Sequence, residues 1–161
     1  EGRPVAIDPP AFAPVEYTAR QPNTGLRAYR DQVLRAASSD ASIALVDVRS
    51  PAEYSGEALA DRDLPRESSQ REGHIPGAVN LPYEMAFNES DGTFKPVQEV
   101  REMCATLGVT SDREVITYCR VGERSSLSWF VLTQVLGYEN VRNYDGSWLE
   151  YSSLIGAPIE R

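Results

Sequence analysis

Val115-Ile116-Thr117-Tyr118-Cys119-Arg120-Val121-Gly122-Glu123-Arg124-Ser125-Ser126 is the stretch that decides the fold. Its first four residues are β-branched or aromatic, the composition of a buried strand. After Arg124, apolar residues recur at Leu127, Phe130, Val131 and Val135, near the helical period, and Gly137 ends the run. A strand that turns directly into a helix is the repeating unit of a parallel α/β sheet. Cys119 falls at the junction. In open α/β sheets the ligand site lies beyond the C-terminal ends of the strands.

The same alternation extends outward in both directions. Ile43 to Val48 is a short apolar run ending in polar Asp47 and Arg49, followed by Ser50-Pro51. Ala78 to Leu81 and Val141 to Tyr144 read as further strands, and Val97 to Leu107 as a helix stopped by Gly108. Asp91-Gly92 is a turn. Leu26, Tyr29, Val33 and Leu34 predict a helix after Thr24, a candidate N-cap. Residues 56–74 are charged and irregular and read as a surface loop. The expected fold is α/β, with a mostly parallel central sheet and helices on both faces. Three polar clusters gather at the strand ends: Asp47 to Arg49, Cys119 to Ser125, and Asp145 to Trp148.

Composition narrows the function. The 161 residues are 41% hydrophobic and 25% charged, enough for one domain with a buried core. A net charge of -8 disfavours nucleic acid as the main partner. Two cysteines and one histidine are too few for a disulfide framework or a zinc site, so neither metal nor cofactor is expected. No apolar run approaches the roughly 20 residues that span a bilayer. No signal-peptide pattern opens the chain, which leaves a cytoplasmic location as the expectation. Pro4, Pro9, Pro10, Pro14 and Pro22 mark residues 1–23 as an extended interdomain linker, with the catalytic domain at 24–161. Gly2-Arg3-Pro4-Val5 echoes Gly156-Ala157-Pro158-Ile159, as if a similar domain preceded this one.

The loop at 119–125 carries the chemistry. A cysteine beneath the N–H groups of a tight turn and a helix N-terminus is in a setting that favours thiolate. Arg120 and Arg124 add permanent positive charge, and Gly122 permits the turn. Ser125 can cap the helix or donate to the sulfur. Glu123 either pairs with Arg124 or faces solvent. Cys104, in the 97–107 helix beside Met103 and Leu107, lacks such neighbours and reads as core.

The loop, with Asp47-Val48-Arg49, Gly73-His74-Ile75-Pro76-Gly77-Ala78 and Tyr144-Asp145-Gly146-Ser147-Trp148, resembles the rhodanese (sulfurtransferase) family over about residues 25–160. Within that family it looks like the C-terminal, catalytic half of two-domain thiosulfate sulfurtransferases. The resemblance implies a double displacement. Cys119 takes the outer sulfur of thiosulfate as a persulfide and passes it to cyanide or another thiophilic acceptor. It implies donor binding by Arg120, Val121, Gly122, Glu123, Arg124 and Ser125, with Arg120 and Arg124 on the sulfonate-like end. Asp47 and Arg49 are expected as a buried supporting pair. His74 is expected to fix its own loop and Asp145 to hold another, with Trp148 lining the pocket or packing. The implied partners are the donor, the acceptor and an inactive N-terminal rhodanese domain, with neither nucleic acid nor membrane. One position departs from the family. Some tandem enzymes carry a second substrate arginine four residues after the residue that aligns with Arg49, and here that position is Glu53.

The alternatives are a persulfide carrier serving a protein, a 3-mercaptopyruvate sulfurtransferase, a non-enzymatic binding module, and a phosphatase or arsenate reductase of the same fold. The last needs five residues between cysteine and arginine to enclose a tetrahedral oxyanion. Here four separate Cys119 from Arg124, a tighter cradle suited to one sulfur atom.

Overall fold

The structure, a computed structural model, describes residues 8–38, 42–59 and 71–161. Four strands, β1 (Ile43–Asp47), β2 (Val79–Asn80), β3 (Glu114–Tyr118) and β4 (Val141–Asn143), form one sheet in the order β2-β1-β3-β4. Every pairing in it is parallel, and Asp47 lies opposite Tyr118, so β1 and β3 end level. The helices are α1 (Arg30–Ala37), α2 (Pro51–Ser55), α3 (Val97–Thr106), α4 (Glu123–Phe130) and α5 (Ser147–Ser153). A π turn, Val131–Val135, continues α4.

Successive side chains of a strand point to opposite faces, so β1 and β3 feed two cores. Ala44, Val46, Val115 and Cys119 pack with Val100 and Cys104 of α3 and with Val131 and Leu132 beyond α4. Leu45, Ile116 and Tyr118 pack with Val33 and Ala36 of α1 and with Trp148 and Tyr151 of α5. Helices therefore cover both faces of a parallel sheet, as the alternating pattern predicts. Burial on both faces also explains why β1 and β3 read as continuous apolar runs.

The helix expected from Thr24 begins later. Asn23, not Thr24, accepts from the Gly25 N–H at 3.0 Å, and Thr24–Leu26 close a single 3-10 turn. Arg27 then runs parallel to Asn143, and the Ala28 N–H donates to the Asn143 carbonyl at 2.9 Å. Pairing with the β4 edge outweighs local periodicity and holds these residues extended. α1 starts at Arg30, where the Gln32 side chain accepts from the Tyr29 N–H at 2.9 Å.

Residues 8–22 form neither helix nor strand and lie exposed. The surface loop expected at 56–74 falls mostly outside the described residues. At its near end Gly56 terminates α2 with φ +83°. At its far end the Arg71 guanidinium donates to the carbonyls of Ser152, Ala157 and Leu154 at 2.7, 3.0 and 2.9 Å. It thus satisfies carbonyls at the C-terminus of α5 and in the segment after it. Among the described residues no helix is long and apolar enough to cross a membrane.

Candidate active site

Cys119 follows the last residue of β3 and is fully buried. The Gly122 N–H donates to its Sγ at 3.1 Å. Gly122 is the N-cap of α4 with φ +92°, the left-handed region that glycine enters without a Cβ penalty. Its conformation turns the peptide so that the N–H faces the sulfur and the carbonyl faces away. That carbonyl is held by Ser125 Oγ at 3.1 Å, Asn143 Nδ2 at 3.2 Å and the Ser126 N–H at 3.1 Å. Glu123, Arg124 and Ser125 form the first turn of α4, whose N–H groups have no acceptor within the helix. The Gly122 N–H on the sulfur thus stands at the positive end of the α4 dipole.

The opposite wall of the loop is fixed by α5. The Trp148 N–H donates to the Cys119 carbonyl at 3.0 Å, and the Leu149 N–H donates to the Arg120 carbonyl at 3.0 Å. Ser147 Oγ accepts from the Cys119 N–H at 3.2 Å and donates to the Tyr144 carbonyl at 2.7 Å. Among the described residues Ser147 is the one non-glycine with positive φ, at 52°. A non-glycine residue is held there only when its surroundings over-determine it, and such positions cluster at functional sites.

The two arginines of the loop differ. Arg120 is buried. Arg124 makes a two-pronged ion pair with Glu53 of α2, Nη1 to Oε2 and Nη2 to Oε1, both at 2.9 Å. Burial opposes both charges. The Arg124 hydrogen bonds and charge nonetheless hold the Glu53 carboxyl below its ordinary range. Glu53, and after it the nearby Cys119 sulfur, push the Arg124 guanidinium above its own range. Glu123 is exposed, and Arg124 takes Glu53 as its ion-pair partner instead.

A sequence profile described as a rhodanese-like domain matches residues 31–154. The chain belongs to the rhodanese family. A relative from Mycobacterium tuberculosis strain H37Rv, provisionally named a thiosulfate sulfurtransferase, is 53% identical over 99% of this chain and 56% of its own length. The sulfur carrier protein TtuD of Thermus thermophilus is 48% identical over all of this chain and 57% of its own length. The chain thus spans little more than half of these relatives. Among solved structures, a tyrosine-to-phenylalanine variant of EanB with a cysteine persulfide, in a tetrahedral intermediate state with ergothioneine, superposes with TM-score 0.72. It is 28% identical, over 84% of this chain and 32% of that one.

The remaining residues read from the sequence lie around this rhodanese loop. Asp47 and Arg49 form a buried pair, with Nη2 to Oδ2 at 2.5 Å and a further Arg49 bond to the Gly73 carbonyl at 2.8 Å. The Arg49 guanidinium lies 4.7 Å from the Trp148 ring centre. Trp148 therefore packs rather than opening onto a pocket, with its Nε1–H on the Arg71 carbonyl at 3.0 Å. His74 stacks on Tyr54 at 3.7 Å, and its Nδ1 lies 2.9 Å from the Tyr54 carbonyl oxygen. Asp145 accepts from Asn143 Nδ2 at 2.8 Å and pairs with Arg27. Val121 sits half-buried on the loop. The Ser125 hydroxyl lies on the Gly122 carbonyl, so it shapes the turn instead of donating to sulfur. Cys104 is buried in the core, and burial pushes its thiol up to about 11.

Sequence reasoning missed three supports: Glu53 as the partner of Arg124, Asn143 on the turn carbonyl, and Ser147 beneath Cys119. The signal for Glu53 was present. Ser50 and Glu53 stand three residues apart around Pro51, a capping-box spacing that places Glu53 on the first turn of a helix beginning at the end of β1.

Proposed function

We propose that this domain transfers the outer sulfur of thiosulfate to cyanide or another thiophilic acceptor. The carrying observation is Cys119 at the end of β3 with the Gly122 N–H on its sulfur at 3.1 Å, ahead of a helix N-terminus. In the first step the Cys119 thiolate attacks the outer sulfur. A new S–S bond forms, the S–S bond of thiosulfate breaks, and its electron pair leaves with sulfite. The negative charge then sits on the outer sulfur of the persulfide, one bond beyond Cys119 Sγ, where the donors of the turn stabilise it as an oxyanion hole stabilises oxygen. In the second step the acceptor attacks the terminal sulfur. With cyanide the products are thiocyanate and the original thiolate. No proton is transferred in either step, so no general base is needed, and His74 is occupied with Tyr54.

Arg120 and Arg124 supply the positive charge that offsets two anions approaching each other. The thiosulfate relationship of the mycobacterial relative and the persulfide of EanB support the assignment. A second reading, a persulfide carrier delivering sulfur to a protein, is favoured by the match to TtuD. In either case the partner domain we propose is an inactive rhodanese domain on the N-terminal side of this one. Intact-mass measurement after thiosulfate treatment tests both readings. One added sulfur on a Cys119 peptide is expected, and an unmodified chain would refute them.

A further inference from the structure

Glu53 occupies the position where some tandem enzymes of the family carry a second donor-binding arginine, and it does the reverse of binding an anion. Its side chain is 0% exposed and that of Arg124 only 11%. Ser50 holds the carboxylate from the other side, with its N–H at 3.1 Å and its hydroxyl at 3.0 Å from Oε2. Two Nη atoms on two carboxylate oxygens make a planar fork that fixes the orientation of the guanidinium. Glu53 fills the Nη1–Nη2 edge of Arg124, so a sulfonate is not read in two-pronged fashion on that edge. A dianionic donor there would also meet the Glu53 charge.

We propose that Glu53 is a positioning residue that commits Arg124 to the sulfur of Cys119 and withdraws it from donor recognition. Arg124 then stabilises negative charge on the sulfur, first as thiolate and then as persulfide. The compact charge of the donor falls to Arg120 and the turn N–H groups. This rests on the reading of Cys119 as the sulfur carrier. It also splits the two arginines, which the sequence placed together on the donor.

The test uses Glu53→Gln, Arg124→Gln and the double variant in the full chain, in a Cys104→Ser background so that only Cys119 reacts. Far-UV circular dichroism confirms folding. Two quantities are measured near neutral pH: the rate of Cys119 alkylation by iodoacetamide, and kcat and KM for thiosulfate with cyanide. Iodoacetamide is uncharged, so its rate reports the sulfur and not anion binding. Each single variant should lower both the alkylation rate and kcat by about ten-fold, the scale of a lost charge-assisted contact, with KM moving less than about two-fold. The double variant should be no worse than Arg124→Gln alone, because Glu53 acts through Arg124. Unchanged alkylation with a raised KM would overturn the proposal, and so would additive losses. If Glu53→Gln does not fold, Arg124→Lys serves, since it keeps the charge and loses the fork. It should slow alkylation, and a wild-type rate would refute the proposal. If the parent chain transfers no sulfur at all, the sulfurtransferase reading fails, while the alkylation comparison still decides the role of Glu53.

Discussion

Gly122 and Asp145 meet backbone to backbone, so closely that a Cβ on Gly122 would come within 2.9 Å of both the Asp145 Cα and its carbonyl oxygen. Neither atom can swing away as the end of a side chain could. With φ at +92°, Gly122→Ala combines backbone strain with a clash. It should cost roughly 1–3 kcal/mol of stability, read from urea unfolding. Sulfur transfer should fall further than stability does, because the peptide that moves carries the N–H on Cys119. Wild-type kinetics in a folded Gly122→Ala chain would show that this turn does not hold the sulfur.

Cys119 and Cys104 should separate cleanly. Cys119→Ser should abolish turnover, and Cys104→Ser should retain most of it, since burial keeps the Cys104 thiol protonated in the core. Peptide mapping after thiosulfate treatment is the check. A sulfur found on Cys104 would contradict the assignment.

Thiosulfate should be preferred over 3-mercaptopyruvate. Arg120 stands directly beside the cysteine, a permanent positive charge suited to the compact dianion of thiosulfate. Arg120→Ala should lower kcat/KM for thiosulfate by roughly ten- to a hundred-fold, the scale of one charge-assisted contact. Comparing kcat/KM for both donors with cyanide as acceptor decides it. A clear preference for mercaptopyruvate would refute this reading of the loop.

The ion pair of Glu53 has a consequence in acid. Its carboxyl titrates below the ordinary range in the folded chain: burial works the other way, but Arg124 prevails. Stability from this group is therefore present above the unfolded value, about pH 4.3, and is lost as pH falls through the lower folded value. Urea midpoints between neutral pH and about pH 3 should fall more steeply in the parent chain than in Glu53→Gln. Parallel slopes would mean that the pair does not couple to folding.

The sheet was readable because β1 and β3 are buried on both faces and so appear as unbroken apolar runs. The nucleophile was readable because cysteine, glycine and two arginines share one strand–helix junction. The start of α1 was not readable from Thr24, because the extended path of Arg27 and Ala28 is imposed by β4, more than a hundred residues later in the chain. The Glu53 partner of Arg124 was not readable from the loop for a similar reason: it lies 71 residues away in the chain. Ser125 was placed correctly in the turn, but its hydroxyl had two plausible acceptors, and it takes the Gly122 carbonyl rather than the sulfur.

The hold of α5 on the carbonyls of Cys119 and Arg120 also sets an order of assembly. A ribosome releases this chain from its N-terminus, so the reactive turn emerges well before Trp148 and Leu149 do. Until those N–H groups arrive, the Cys119 and Arg120 carbonyls lack their partners, and the Cys119 N–H lacks Ser147. Nascent chains arrested before Ser147 should therefore take up no sulfur from thiosulfate, and persulfide on such chains would contradict this. The reactive turn is completed only when α5 forms, after the other helices that flank the sheet have been made.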